Sequence, residues 1–593
     1  MKTASTVALN GATYRNGLTE FRLWAPAAQT VTLRLQRAAR NETRDFPMRR
    51  LGSSDYGIPE MGDVRDADTF VLEIDARPGD RYQYVVDGGT PLPDPISRFL
   101  PEGVHGPTEI VDPTQFEWRD REWKGVEYRD YVLYEIHVGT FTPEGTLDSA
   151  IAKLPYLKDL GITALELMPV NAFPGNHNWG YDGVGLYAVQ ASYGGPEALR
   201  RFVDAAHQQG LAVIQDVVYN HLGNEGNYLR QFGPYFTAKH QTPWGEAINY
   251  DDEGSHAVRR YIIGNALYWI HEYHMDGLRL DAVQTIKDDS RRHIVHDLAE
   301  TVHALGRELA RVTTVIAETD ENDARYITRY GCDGVWSDDF HHSIHTLITG
   351  EEKGYYTDYA GRPDLLLRAL NEGVAFQGEM FKFWNEVRGT SAEDVPLPAN
   401  VICTQNHDQI GNRAKGERLT ALGPRGARKF AAALLLLAPE TPLLFMGQEF
   451  DEDAPFQFFT DYGDMELQKA VREGRRKEFS DFNWTEVPDP QDRATFDRSQ
   501  LNWEWSGDQK DMLSWYRELL RLRSTHITQS SRTCFADLAG EKCLRMQVPA
   551  ESPNIIVNAC WDSAEETHSQ DAGWYTALHM NEDGYTVRVY VRG

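Results

Sequence analysis

Cysteine is scarce and scattered in this chain. Five occur in 593 residues, Cys332, Cys403, Cys534, Cys543 and Cys560. The number is odd and no close pair has metal-ligand spacing. A disulfide framework and a zinc site are therefore not expected, and the thiols read as reduced, in a cytoplasmic setting. Positive charge is also short: the formal net charge is −29. No basic face stands out, so nucleic acid is not expected as a partner. The N-terminal MKTASTVALNGATYRNG has no apolar signal core. The longest apolar stretch, FAAALLLLAPETPLLFMG at 430–447, is broken by Pro439, Glu440 and Pro442. It is too short on either side to span a bilayer and reads as a buried helix followed by a buried strand, so no membrane partner is expected. Neither a metal-ligand cluster nor a nucleotide loop is visible, and no metal or cofactor is expected.

A chain of this length exceeds one compact core, and two to four domains are expected. Residues 1–110 hold short alternating runs (TEFRLWAP, TVTLRLQR, TFVLEID, YQYVVDG) separated by turns, the pattern of a small antiparallel sandwich. PLPDPISRFLPEGVHGP at 91–107 reads as an ordered linker. A different rhythm begins near 130. Eight strand candidates follow: 132–138, 164–170, 212–220, 277–283, 315–320, 334–339, 401–408 and 442–449. Several are near-continuous apolar runs, as parallel strands buried on both faces require, and helical patterns separate most of them. The expected fold is multidomain α/β: a (β/α)8 TIM barrel over 111–527, after an N-terminal β-sandwich and before a C-terminal antiparallel β-domain at 528–593. The helix-poor stretch at about 222–254, with Tyr228, Phe232, Tyr235, Phe236 and Trp244, reads as an excursion over the barrel mouth.

Four segments carry the chemistry: DVVYNH (216–221), GLRLDAV (277–283), IAETD (316–320) and QNHDQ (405–409). Each is an apolar run ending in polar residues, which places Asp281, Glu318 and Asp408 at strand ends around one mouth. Carboxyls converging there suit cleavage of a glycosidic bond. One attacks or stabilises the anomeric carbon while another protonates the leaving oxygen. Asp281 is the nucleophile candidate. Arg279 lies two residues earlier, so both side chains share one face of the strand, and a guanidinium there stabilises the anion. Glu318, approached by apolar residues, suits a general acid, because partial burial favours its neutral form. His407 and Asp408 can grip neighbouring sugar hydroxyls. Asp216 reads as a support, His221 as a sugar contact, and Tyr181 as an aromatic face for a pyranose. SDDFHH follows the sixth strand and offers Asp339, Phe340 and His341 as leaving-group contacts. Each residue also has an ordinary structural reading: a strand-end ion pair, a helix-terminal acid or a core aromatic. The shared strand-end placement favours the catalytic one.

These four segments resemble the signature regions of the α-amylase family of glycoside hydrolases, and the resemblance spans nearly the whole chain. It implies a retaining mechanism with Asp281 as nucleophile, Glu318 as acid/base and Asp408 as transition-state stabiliser. His221, Arg279 and His407 match the assisting positions. Further segments (YEIHVGTFTPEGT, WGYDGVGLYA, SDDFHH, QNHDQIGNR, TPLLFMGQEF, PFQFFTDY) resemble one branch of that family. That finer resemblance implies hydrolysis of the α-1,4 bond joining a malto-oligosaccharide to a terminal trehalose, with related α-glucans as further substrates. Gln284 and Thr319 depart from the family pattern, on what should be the leaving-group side. A branching or debranching activity on α-glucan, and a non-catalytic glycan-binding protein, are the alternatives.

Overall fold

Eight short parallel strands close into a barrel at the centre of the molecule, a computed structural model that describes residues 11–40, 42–51, 68–478, 487–527, 533–562 and 573–592. In chain order the strands are Leu133–Ile136, Ala164–Leu167, Ala212–Val217, Gly277–Leu280, Thr314–Ala317, Gly334–Trp336, Asn400–Cys403 and Thr441–Phe445. Each pairs with its sequence neighbours, and the eighth pairs with the first. All eight coincide with runs singled out in the sequence, three of them (from Thr314, Asn400 and Thr441) starting one residue earlier, but they are shorter than those runs. The polar residues that end each run leave the sheet and turn over its C-terminal rim, where such barrels place their sites. Every residue of the fourth, fifth and seventh strands is buried. Helices such as Gly195–Gln208, Ser255–Glu272 and Ile294–Leu309 cover the outside. The stretch at 430–447 contributes to the helix Arg425–Leu437 and then the eighth strand, with Leu434 to Leu437 fully buried.

The N-terminal part forms two four-stranded antiparallel sheets over Gly11–Glu109, with Phe21, Leu33, Leu35, Tyr82 and Tyr84 between them. The first ten residues, in which a signal core was sought, lie outside the described residues. The linker at 91–107 is tied down. Asp94 accepts the Tyr82 hydroxyl at 2.6 Å, and the Arg98 guanidinium meets Glu272 of a barrel helix at 3.0 to 3.3 Å. The excursion after His221 carries a hairpin, Phe236–Thr242 paired with Gly245–Ile248, whose turn presents Trp244.

The helix Gly507–His526, opened by a Ser506/Gln509 capping box, packs back on the barrel helix Arg425–Leu437. Beyond it lies a five-stranded antiparallel sheet from Phe535 to Arg592. The boundary expected at 528 falls outside the described residues. The cysteines correct one expectation: Cys543 and Cys560 stand directly opposite on adjacent strands and form a disulfide, while Cys332, Cys403 and Cys534 are free and buried. Their separation in sequence hid a pairing that the strand register creates. Among the described residues no helix is long and apolar enough to cross a membrane.

Candidate active site

Asp281 and Glu318 each follow the last residue of a barrel strand, and the strand register brings Leu280 level with Ala317. Arg279 links them. Its Nη1 donates to Asp281 Oδ1 at 2.7 Å and to both Asp216 oxygens at 3.0 and 3.1 Å, and its Nη2 lies 3.5 Å from Glu318 Oε2. Asp281 also accepts the Asn220 amide at 2.7 Å, and Glu318 accepts the backbone N–H of Ala282 at 2.6 Å. Ala282 adopts a left-handed backbone at φ 40°, turning its N–H toward Glu318. Asp408 arrives differently from expected. It does not end a strand but sits in the first turn of the short helix His407–Gly411. Asn406 caps that helix, its side-chain oxygen accepting the Gln409 N–H at 2.8 Å, so the chain turns helical before the aspartate is reached.

Around these carboxyls, Tyr181 donates its hydroxyl to Asp216 at 2.7 Å and stacks its ring on His407, with centroids 5.1 Å apart. His407 is fixed from below by Glu135, which accepts both its backbone N–H and its Nδ1–H. His221 pairs with Asn220 and stacks flat on Trp244, 4.1 Å between centroids. Trp244 is half-exposed and was seen in the sequence only as part of the excursion.

Burial and charge set these groups apart. Burial raises Glu318 to about 8, with Asp281 and Asp408 adding to the effect and Arg279 opposing it. At neutral pH it therefore holds a proton, beside an Asp281 carboxylate bound by Arg279 and Asn220. Burial lifts Asp216 to about 7 against the pull of Arg279. Burial alone would lower His407, but the facing carboxylates of Asp408 and Glu135 outweigh it and raise it to about 9. Such divergence between neighbouring titratable groups marks acid/base sites.

A cavity of about 200 Å³ opens beside Asp408. It is lined by Asp320, Asp338, His342, Tyr355, Trp384 and Arg388, among others. Asp339, Phe340 and His341, expected at the mouth, do not line it. Asp339 is fully buried, accepting the Tyr359 hydroxyl, the N–H groups of Ala375 and Phe376, and the Asn322 and Arg388 side chains. Phe340 and His341 are buried as well. Strand alternation was the available signal: Trp336 points into the barrel, and two residues on the same phase falls on Asp338, not Asp339. Thr319 is buried with its hydroxyl accepting the Glu321 N–H, so it does not face a leaving group. Trp384 and Arg388 belong to a hairpin at 379–388 that the sequence reading did not identify. Among the described residues one group could approach a metal ion, His240, Asp251 and Asp289, but the Lys239 ammonium already lies 2.8 Å from Asp251.

A closed barrel with Asp281, Glu318 and Asp408 converging at its C-terminal rim around Arg279 is the arrangement of a glycoside hydrolase of the α-amylase type. The family description "Alpha amylase, catalytic domain" matches residues 110–244, and "Carbohydrate-binding module 48 (Isoamylase N-terminal domain)" matches 10–99. The malto-oligosyltrehalose trehalohydrolase of Saccharolobus solfataricus is 43% identical over 545 residues, covering 90% of this chain and 91% of that one. The protein of the same name from Rhizobium sp. is 46% identical, covering 88% of each. A crystal structure from Salmonella typhimurium, described as a candidate alpha amylase, superposes with a TM-score of 0.87 at 39% identity, covering 98% of this chain and 99% of that one. The chain belongs to the malto-oligosyltrehalose trehalohydrolase family.

Proposed function

We propose that the chain hydrolyses the α-1,4 bond between a malto-oligosaccharide and its terminal trehalose, releasing free trehalose with retention at the anomeric carbon. The Asp281 carboxylate attacks that carbon as Glu318 gives its proton to the leaving oxygen. The glycosidic C–O bond breaks and a glycosyl ester forms on Asp281. Glu318, now ionised, takes a proton from water, whose oxygen displaces the ester and frees Asp281. Asp408 and the His407 imidazolium grip the distorted sugar, and Tyr181 and His221 flank it. The observation that carries the reading is the Arg279 guanidinium shared by a carboxylate and a neutral carboxyl.

The leaving trehalose is assigned to the cavity of Asp338, His342, Tyr355 and Trp384, where an indole face and partly exposed carboxyls suit a disaccharide. The same proposal divides the chain at 1–110, 111–527 and 528–593. It also sets the reaction in the cytoplasm. The buried free thiols are compatible with that setting and the Cys543–Cys560 disulfide opposes it, so thiol alkylation of intact cells, read without reductant, decides the matter.

The deciding experiment is product analysis on malto-oligosyltrehalose and maltohexaose in parallel. Fast release of trehalose from the first and slow attack on the second are expected. New α-1,6 linkages without net hydrolysis indicate a branching enzyme, and linear chains freed from branched glucan a debranching one. Asp281→Asn should lower kcat by several orders of magnitude, roughly 10³-fold or more. Near-native turnover in that variant would remove Asp281 as the nucleophile, whereas absence of turnover on any α-glucan by the native protein would point to a glycan-binding role.

A further inference from the structure

Beneath the catalytic carboxyls lies a barrel layer with an unusual occupant. Four alternate strands supply each interior layer of such a barrel. Glu166, Arg279, Trp336 and Leu443 form one of them, as the register shows. Glu166 is level, through Ile214, with Gly277, two residues before Arg279. Arg279 is level, through Ile316, with Gly334, two before Trp336. Trp336 is level, through Val401, with Thr441, two before Leu443. Leu443 is level, through Leu133, with Ala164, two before Glu166, which closes the ring.

Glu166 is 1% exposed, and neither carboxyl oxygen has a hydrogen-bond partner among the described residues. The same holds in this layer for Nε and Nη2 of Arg279 and Nε1 of Trp336. Acceptors and donors thus share one layer without touching. The groups that act electrostatically on Glu166 are Glu135, Arg279, Asp216 and His407, and it in turn acts on Tyr128 and Cys403. Buried polar groups left unpaired are costly, and a buried water that meets two to four of them removes that cost. An ionised Glu166 would repel Glu135 and compete with Asp281 for the guanidinium.

We infer that Glu166 is a positioning residue of the reaction: a neutral carboxylic acid that, through bridging water, fixes the Arg279 guanidinium over Trp336 so that it orients Asp281 and Glu318. The Arg279 guanidinium carbon lies 4.5 Å from the Trp336 ring centroid, which sets the plane being held. This inference rests on the proposed roles of Asp281 and Glu318.

The test compares full-length Glu166→Gln and Glu166→Leu, with Asp281→Asn alongside. Gln reproduces the neutral acid and should keep kcat within about threefold, with an unchanged pH profile. Leu removes the polar partner. It should lower kcat about 10- to 100-fold, the scale for a small misplacement of reacting groups, with KM little changed and the basic limb of the pH profile displaced. The native-minus-Glu166→Gln infrared difference spectrum should show the carbonyl band of one buried neutral carboxylic acid, over and above the Glu318 band that both proteins share. A Gln variant as damaged as the Leu variant overturns the inference, as does the absence of that band. So does a Leu variant with native kcat and pH profile. If the Leu variant does not fold, the infrared band and the Gln variant decide. Turnover surviving Asp281→Asn defeats the catalytic reading itself, whatever Glu166 does.

Discussion

Arg279 brings a full positive charge into a place with no exposure, and it is tolerated because three carboxyls surround it. That one side chain bonds the two catalytic carboxyls unequally. The strong, direct bond goes to Asp281 and the longer approach to Glu318, so burial wins at the glutamate. A pH dependence follows. A carboxyl raised to about 8 is neutral below that pH and ionised above it, and only the neutral form can protonate the leaving oxygen. For the free enzyme, kcat/KM should therefore fall as pH rises through about 8. Glu318→Gln should abolish that limb while lowering the rate about 10²- to 10⁴-fold, the usual contribution of a positioned acid. An unaltered limb in a still active Gln variant would assign the titration to another group. The carboxyls were legible in the sequence because each ends an apolar run. Asp408 was legible in identity but not in placement, since a cap at Asn406 starts a helix that no strand periodicity announces.

At the scale of elements, all eight barrel strands were readable because parallel strands buried on both faces are mostly apolar, with only a few charged or polar residues such as Glu166 and Arg279 interrupting them. The elements that shape the cavity were not. The hairpin joining Glu379–Phe381 to Glu386–Arg388 has only three residues a strand and is inserted between the sixth and seventh barrel strands, so it is too short to leave a periodic trace. Asp339 instead looked like a site residue because its role depends on contacts with Tyr359, Ala375 and Arg388, all distant in sequence. The hairpin exposes Phe383 and Trp384, aromatics that no core requires there. Trp384→Ala removes the indole face assigned to the leaving disaccharide. An aromatic contact contributes about 0.5–1.5 kcal/mol beyond its buried area. The ratio of kcat/KM for malto-oligosyltrehalose over maltohexaose should therefore drop about tenfold, measured by initial rates of reducing-sugar and trehalose release. A ratio that stays constant would move the leaving-group subsite to another wall of the mouth.

Across the whole molecule, the N-terminal sheets serve the barrel by contact. Trp24 is buried and meets Tyr235 of the excursion edge-to-face, with centroids 5.3 Å apart. Its ring lies 2.7 Å from where a Cβ would stand at Gly233, so no side chain fits at that position. Arg98 adds its ion pair to Glu272 and donates to the Ala12 carbonyl at 2.9 Å. None of this long-range docking shows in local periodicity: a tryptophan in the run TEFRLWAP reads equally well as core of its own sheet. The excursion that Trp24 supports also carries Trp244, stacked on His221 at the mouth. Trp24→Ala should cost about 3–5 kcal/mol where the indole was packed. The loss falls on the contact between module and excursion, not on the barrel core, so its effects should be unequal. Hydrogen exchange should quicken in the hairpin at 236–248 while the barrel strands keep their protection. KM should rise several-fold with kcat little changed, because the carboxyls and Arg279 stay in place. Equal loss of protection in hairpin and barrel strands would instead show the three units unfolding as one, with Trp24 part of a single core.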